Sequence, residues 1–149
     1  MVRVMASGVF DLLHSGHLHF LEEAKKLGDE LVVVVATDNT VRRRKHEPIT
    51  HEEMRLKMVS ALRPVDKAVL GHEGDMFEIV QEIQPDIIAL GFDQAHDEEQ
   101  IAKELEKRGI DAKVVRLSQL NDDLNGTRKI IKKIIDWHMF KERMKKVEK

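Results

Sequence analysis

Apolar positions along this chain of 149 residues follow two alternating periods. Short runs rich in β-branched residues, at Val2–Ala6, Glu30–Ala36, Lys67–Leu70, Asp86–Leu90 and Lys113–Leu117, predict five strands. Leu31 to Ala36 is apolar without alternation, as expected of a parallel strand covered on both faces. Between the runs lie segments of helical period with clear punctuation. The first spans Leu18 to Leu27 and stops at Gly28, a C′ glycine. The second opens at Thr50, with Glu53 completing a capping box and Ile49 and Met54 placed as a hydrophobic staple, and stops near Arg63-Pro64. The third is capped by Asp75 with Glu78 at N3 and ends before Pro85. The fourth starts at Asp97 with Gln100 at N3, and Gly109 closes it. A last helix, about 126–145, puts Ile130, Ile131, Ile134, Ile135, His138 and Met139 on one face. This alternation predicts a single α/β domain over 1–149: a Rossmann-like, doubly wound, five-stranded parallel sheet with helices on both faces.

Composition narrows the class. A formal net charge of −2 gives bulk electrostatics no reason to favour nucleic acid or an anionic membrane. The absence of cysteine excludes disulfides, thiolate metal sites and cysteine nucleophiles, and fits a reducing interior. No apolar run approaches the roughly 18–20 residues of a membrane span. Met-Val-Arg-Val-Met reads as the start of a strand, not a signal peptide, so a cytoplasmic protein is expected. Residues 128–149 hold nine Lys/Arg against three Asp/Glu, which reads as a solvated helix face in preference to a nucleic-acid patch.

Ligands of a doubly wound sheet bind beyond the carboxyl ends of its strands, where strand order reverses. After strand one comes Gly8-Val9-Phe10-Asp11-Leu12-Leu13-His14-Ser15-Gly16-His17. Two imidazoles flank a glycine that admits close backbone approach, at a helix N-terminus with spare N–H donors. This is a phosphate-handling arrangement. A metal pair is the alternative, but no third ligand is evident nearby, and both the dinucleotide glycine fingerprint and the Walker A pattern are missing. Asp11 braces the turn as much as it contacts ligand. After strand two, Thr37 to Lys45 includes Arg42, Arg43 and Arg44. It is either a solvated basic loop or a cationic lid over a polyphosphate. Arg55 is a further phosphate candidate or an exposed helical arginine. After strand four, Gly91-Phe92-Asp93-Gln94 is a simple turn or places Asp93 against a nucleoside. After strand five, Asn125-Gly126-Thr127-Arg128 is an ordinary N-cap or a phosphate site in which Thr127 and Arg128 take part. Trp137 is expected to pack against the sheet or a partner chain.

Gly8-Val9-Phe10-Asp11 with His14-Ser15-Gly16-His17 resembles the motif of the cytidylyltransferase-like nucleotidyltransferase superfamily. Leu27 to Leu31, Pro64 to Gly71 and Pro85 to Gln94 read like segments of the archaeal FAD synthases within it. The likeness runs from about Val2 to Leu117. Valine stands at position 9, where threonine is common. The resemblance implies transfer of AMP from ATP to FMN, with a divalent cation, Mg²⁺, carried by substrate phosphates. It implies an ATP pocket of Val9, Phe10, His14, Ser15, Gly16, His17, Asp93 and Thr127. Within it, His14, His17 and Lys45 would do the catalytic work, with phosphate contacts from Arg42, Arg55 and Arg128. No metal ligand is assigned, and the resemblance leaves a homodimer open. No general base is needed, because a phosphate monoester is largely dianionic at neutral pH. The alternatives are a cytidylyltransferase acting on glycerol 3-phosphate or a similar small phosphate, and a nucleotide-binding sensor that does not turn over.

Overall fold

The computed structural model describes residues 1–44, 46–91, 94, 97–118 and 126–148. Strands β1 (Arg3–Gly8), β2 (Glu30–Val35), β3 (Lys67–Leu70), β4 (Ile87–Leu90) and β5 (Lys113–Arg116) form one sheet. Its order is β3-β2-β1-β4-β5, with every neighbouring pair parallel. The helices are α1 (Ser15–Lys25), α2 (Asp38–Arg43), α3 (Glu52–Ser60), α4 (Met76–Ile83), α5 (Glu98–Lys107) and α6 (Thr127–Glu148). The chain winds from β1 outward to β3, then crosses to β4 and β5. The switch point therefore lies between β1 and β4, and the histidine turn leaves β1 there.

Strand pleating divides the core into two layers. Val4 and Ala6 of β1 and Leu31, Val33 and Val35 of β2 face α1 and α3, where Leu21, Ala24 and Val59 close the layer. Met5, Val34, Ile88 and Leu90 face α4 and α5, against Ile79, Val80, Ile101 and Leu105. All are nearly or fully buried, so truncating a residue such as Leu21 or Leu105 to alanine costs about 2–5 kcal/mol. Gly28 is required where the α1–β2 turn passes under β1, because a Cβ there would lie 2.7 Å from the Val2 carbonyl oxygen and 2.8 Å from Val4 Cγ2.

Four local features depart from the expectations of the sequence. The first helix begins at Ser15, because the His14 side chain serves as its N-cap. The segment after β2 holds a helix, α2, capped by Thr37, in place of a loop. Helix α3 is capped by His51 and not Thr50, whose N–H and hydroxyl are both given to Asp11. Helix α6 continues to Glu148, and its apolar face is open: Ile134, Ile135 and Met139 are each more than half exposed. Trp137 is likewise exposed, packed under the Lys141 ammonium at 4.4 Å and not against the sheet. Asp75 and Asp97 cap α4 and α5 as predicted, and Gly109 takes a positive φ of 71° after α5.

Candidate active site

Between Gly8 and His14 the chain makes a turn that few sequences tolerate. Phe10 and Leu12 both adopt left-handed backbone, at φ 56° and 50°. Its cost is offset by bonds from three other segments. The Asp11 carboxylate accepts from the Ile49 N–H (2.6 Å), the Thr50 N–H (3.0 Å) and the Thr50 hydroxyl (2.6 Å). The Asp11 carbonyl accepts from the Thr127 hydroxyl at 2.8 Å, which brings the start of α6 to the turn. The Val9 carbonyl accepts from Arg55 Nη1 at 2.8 Å. The Phe10 ring is buried beneath Gly8, where a Cβ would approach it to 3.0 Å. Burial works against ionisation of Asp11, but the hydrogen bonds from Thr50 and Ile49 and the Arg55 charge outweigh it and hold its pKa below the usual carboxylate value.

The two imidazoles emerge from this turn as a stacked pair, centroids 3.8 Å apart and planes 24° from parallel. Phe10 backs His17 at 5.5 Å. Nδ1 of His14 accepts from the Gly16 N–H (3.1 Å), and Nδ1 of His17 accepts from the His14 N–H (3.3 Å). A ring nitrogen that accepts from an amide carries no hydrogen, so in each neutral ring the proton is on Nε2. The pair therefore offers two Nε2–H donors beside the N-terminus of α1. Burial, then the nearby His14, lower the His17 pKa to about 4 against the opposing pull of Asp11, so His17 is a neutral donor at physiological pH.

The expected cationic segment is described as far as Arg44, and two of its arginines are engaged. Arg42 pairs with Glu47 at 3.3 Å, and Arg43 with Glu73, whose carboxylate also accepts from Asn39. Arg44 lines a small cavity of about 90 Å³ at the strand ends, with Gly8, Ala36, Thr40, Gly71, Met76 and Gln94 among its walls. A larger groove of about 290 Å³ runs under β2 and β3 beside α4, past the Arg3–Glu30 pair at the amino ends of the strands, and neither His14 nor His17 lines it. Arg128 is exposed in the first turn of α6.

Arg55 has a place unlike the one expected. It is 1% exposed, and its guanidinium bonds four protein oxygens, so it is a buried clamp and not a surface phosphate ligand. Lys45 and Asp93, named from sequence, lie outside the described residues. Gln94, next to Asp93, ties β4 to β1, its Nε2 donating to the Ser7 carbonyl (2.8 Å) and its Oε1 accepting from the Gly91 N–H (2.9 Å). Arg116 of β5 secures the same corner through the Gly91 and Gln94 carbonyls. Sequence reasoning missed Gln94, Arg116 and the Asp11–Thr50 link. A signal for Arg55 did exist: it lies four residues before Val59, on the inward face of α3. Among the described residues no group of three His, Cys, Asp or Glu side chains is placed to hold a metal ion. The Asp11 and Asp38 carboxylates near the turn are taken up by protein donors.

The stacked histidine pair lies at the switch point of a parallel α/β sheet, where such folds bind their ligands, and residues 5–147 match the family described as cytidylyltransferase-like. The chain belongs to that family and is a nucleotidyltransferase. It is 64% identical over 137 residues to a protein named FAD synthase from Aciduliprofundum boonei, covering 91% of this chain and 92% of that one. An FAD synthase from Archaeoglobus profundus is 52% identical over 149 residues, covering 99% and 94%. A crystal structure described as a lipopolysaccharide core biosynthesis protein, from Thermoplasma volcanium, superposes with a TM-score of 0.80 at 55% identity, over 81% of this chain and 99% of that one. A pantoate–β-alanine ligase from Francisella tularensis, at 14% identity and a TM-score of 0.57 over 81% of this chain and 60% of that one, shares the fold alone.

Proposed function

We propose that the protein is an FAD synthase, transferring AMP from ATP to FMN with release of pyrophosphate. The observation that carries the chemistry is the pair of Nε2–H donors beside the α1 N-terminus, and relatives named FAD synthase at 52–64% identity supply the acceptor. A phosphate oxygen of FMN attacks the α-phosphorus of ATP. The new P–O bond forms as the bond from the α-phosphorus to the bridging oxygen breaks, and that electron pair leaves with pyrophosphate. The attacking dianion has no proton to lose, so no general base is needed. Catalysis then rests on placement and on neutralising charge at the α-phosphate and the departing pyrophosphate. His14 and His17 donate to the triphosphate, with Val9, Phe10, Ser15 and Gly16 supplying the surrounding backbone. Lys45, Arg42 and Arg128 answer the outer phosphates, the Thr127 backbone N–H a further phosphate while its hydroxyl stays on the Asp11 carbonyl, and Asp93 the nucleoside. A divalent cation, when bound, supplies further charge neutralisation. With no described ligand trio and the nearby carboxylates occupied, it fits as an ion held by substrate phosphates.

The same reading places the enzyme in the cytoplasm as a homodimer. Residues 128–149 carry +6 (nine Lys/Arg, three Asp/Glu), which leaves −8 on residues 1–127 of a chain with net −2. The basic α6, with Trp137 and Phe140 exposed, suits the acidic body of a second copy. Light scattering tests this: twice the chain mass at low salt is expected, and monomer mass at every salt removes it. For the activity, the protein is offered ATP or CTP with FMN or glycerol 3-phosphate. Pyrophosphate and FAD from ATP plus FMN are expected. Turnover confined to CTP plus glycerol 3-phosphate would replace the assignment, and no pyrophosphate with any pair would leave a nucleotide-binding module.

A further inference from the structure

We propose that Arg55 is a positioning residue that fixes the histidine turn relative to α2, an inference that rests on the nucleotidyl-transfer reading of this site. Its guanidinium reaches the turn after β1, the end of β2, the start of α2 and the loop before α3. Nε donates to the Thr50 carbonyl (3.0 Å), on the loop that holds Asp11. Nη1 donates to the Val9 carbonyl (2.8 Å), in the turn, and to the Ala36 carbonyl (2.7 Å), just past β2. Nη2 donates to Asp38 Oδ1 (2.6 Å), the first residue of α2. Burial of Asp38 opposes its ionisation, yet the Arg55 hydrogen bond and charge keep its carboxyl below the usual value.

The planar fork is what makes this possible. Its donors diverge at fixed angles, so three backbone oxygens and one carboxylate are held at set separations. A lysine at 55 has one compact ammonium and cannot span them. The bond to Val9 matters most, because the next residue is left-handed Phe10. In a trans peptide the C=O and the following N–H point opposite ways, so fixing the Val9 oxygen on Arg55 aims the Phe10 N–H away from it. The Phe10 ring in turn backs His17. At the other end of the clamp, Asp38 begins the helix that carries Arg42 and Arg43. One buried cation thus sets the spacing between two parts of the polyphosphate site without touching substrate.

The test compares Arg55→Lys with Leu105→Ala, a core truncation on the opposite sheet face. In Arg55→Lys, kcat is expected to fall about 100-fold with KM for ATP within about threefold, as misplacement of reacting groups predicts. The ring-proton NMR shifts of His14 and His17 should move together. Leu105→Ala should lower the melting temperature but keep kcat within about twofold and leave those shifts in place. A folded Arg55→Lys with kcat within about threefold of wild type, or with unmoved histidine shifts, overturns the proposal, as does an equal kcat loss in Leu105→Ala. If Arg55→Lys does not fold, Asp38→Asn replaces it, with about tenfold lower kcat expected; unchanged kcat there overturns it. A wild-type protein that releases no pyrophosphate would defeat the functional reading, while the histidine shifts would still decide the clamp.

Discussion

The histidine turn and helix α2 both face the strand ends, and they are built in opposite ways. The turn holds two left-handed residues and is fixed by bonds to Asp11, Val9 and the Asp11 carbonyl from three separate segments. Helix α2 is six residues long, with only Val41 buried, and its arginines end in exposed ion pairs with Glu47 and Glu73. Exposed pairs of this kind contribute about 0–1 kcal/mol and exchange readily. The turn is therefore a preorganised donor array, while the arginines of α2 are free to trade one carboxylate for a phosphate at little cost. In the proposed reaction, the groups that meet developing charge sit in a braced turn, and those that gather the outer phosphates sit in exposed, weak ion pairs.

The largest effect should come from the rigid half. In His17→Ala one Nε2–H donor and the bond from the His14 N–H are lost, while the bonds to Asp11 and Val9 remain, so kcat is expected to fall by about 10²–10³ with the fold intact. Pyrophosphate release together with the circular dichroism melt checks both parts. Turnover near that of wild type would remove the special status of the turn.

Asp11→Ala attacks the support and not the donor. It strips three bonds from the Asp11 carboxylate, partly compensated by water at exposed Ile49. A loss of about 2 kcal/mol is expected, or about 4–8 °C in melting temperature, with kcat lowered about 10–100-fold. A melting temperature unchanged within error would show that the left-handed turn holds without this anchor.

How much of this was legible follows from the range of the interactions. Strands and most helices are written locally: β-branched runs, Asp75 and Asp97 as caps, Gly109 as a stop. The histidine pair was legible because its residues are three apart. Helix α2 was not, since one valine among five polar residues gives no periodic signal. Thr50 looked like a helix cap because its pairing with Asp11, 39 residues away, leaves no trace in the local pattern. Arg55 looked solvated for the same reason, as its partners lie up to 46 residues away. The apolar stripe of α6 was read correctly as a stripe, but its period does not say what covers it.

In the exposed helix α2 the effects should be small. Arg43→Ala removes an exposed cation that, among the described residues, pairs with Glu73. KM for ATP is expected to rise about two- to fivefold, with kcat and melting temperature nearly unchanged. Glu73→Gln should shift KM the other way, because it releases the arginine. A kcat loss above about tenfold in Arg43→Ala would place α2 with the rigid donors and erase the contrast.

The smallest expected effect is the one pH produces on the rate through His17. Its pKa is about 4 in the folded chain against 6.5 for a free imidazole, chiefly from burial and secondarily from His14. Between those two values the unfolded chain binds a proton that the folded turn refuses. This group's contribution to stability is thus fully present above pH 6.5 and drains away as pH falls toward about 4. Asp11, whose pKa is lowered, adds to the loss only below the ordinary carboxylate value of 3.8. From pH 8 to 5 the donor on Nε2 is unchanged, so the rate should show no inflection near 6.5 from His17, while the melting temperature declines modestly. The arginines of α2 stay charged throughout. An NMR titration of the His17 Hε1 proton checks this: a midpoint near 4 is expected. A midpoint near 6.5 would mean that water reaches the ring freely, and the turn would then be no more enclosed than α2.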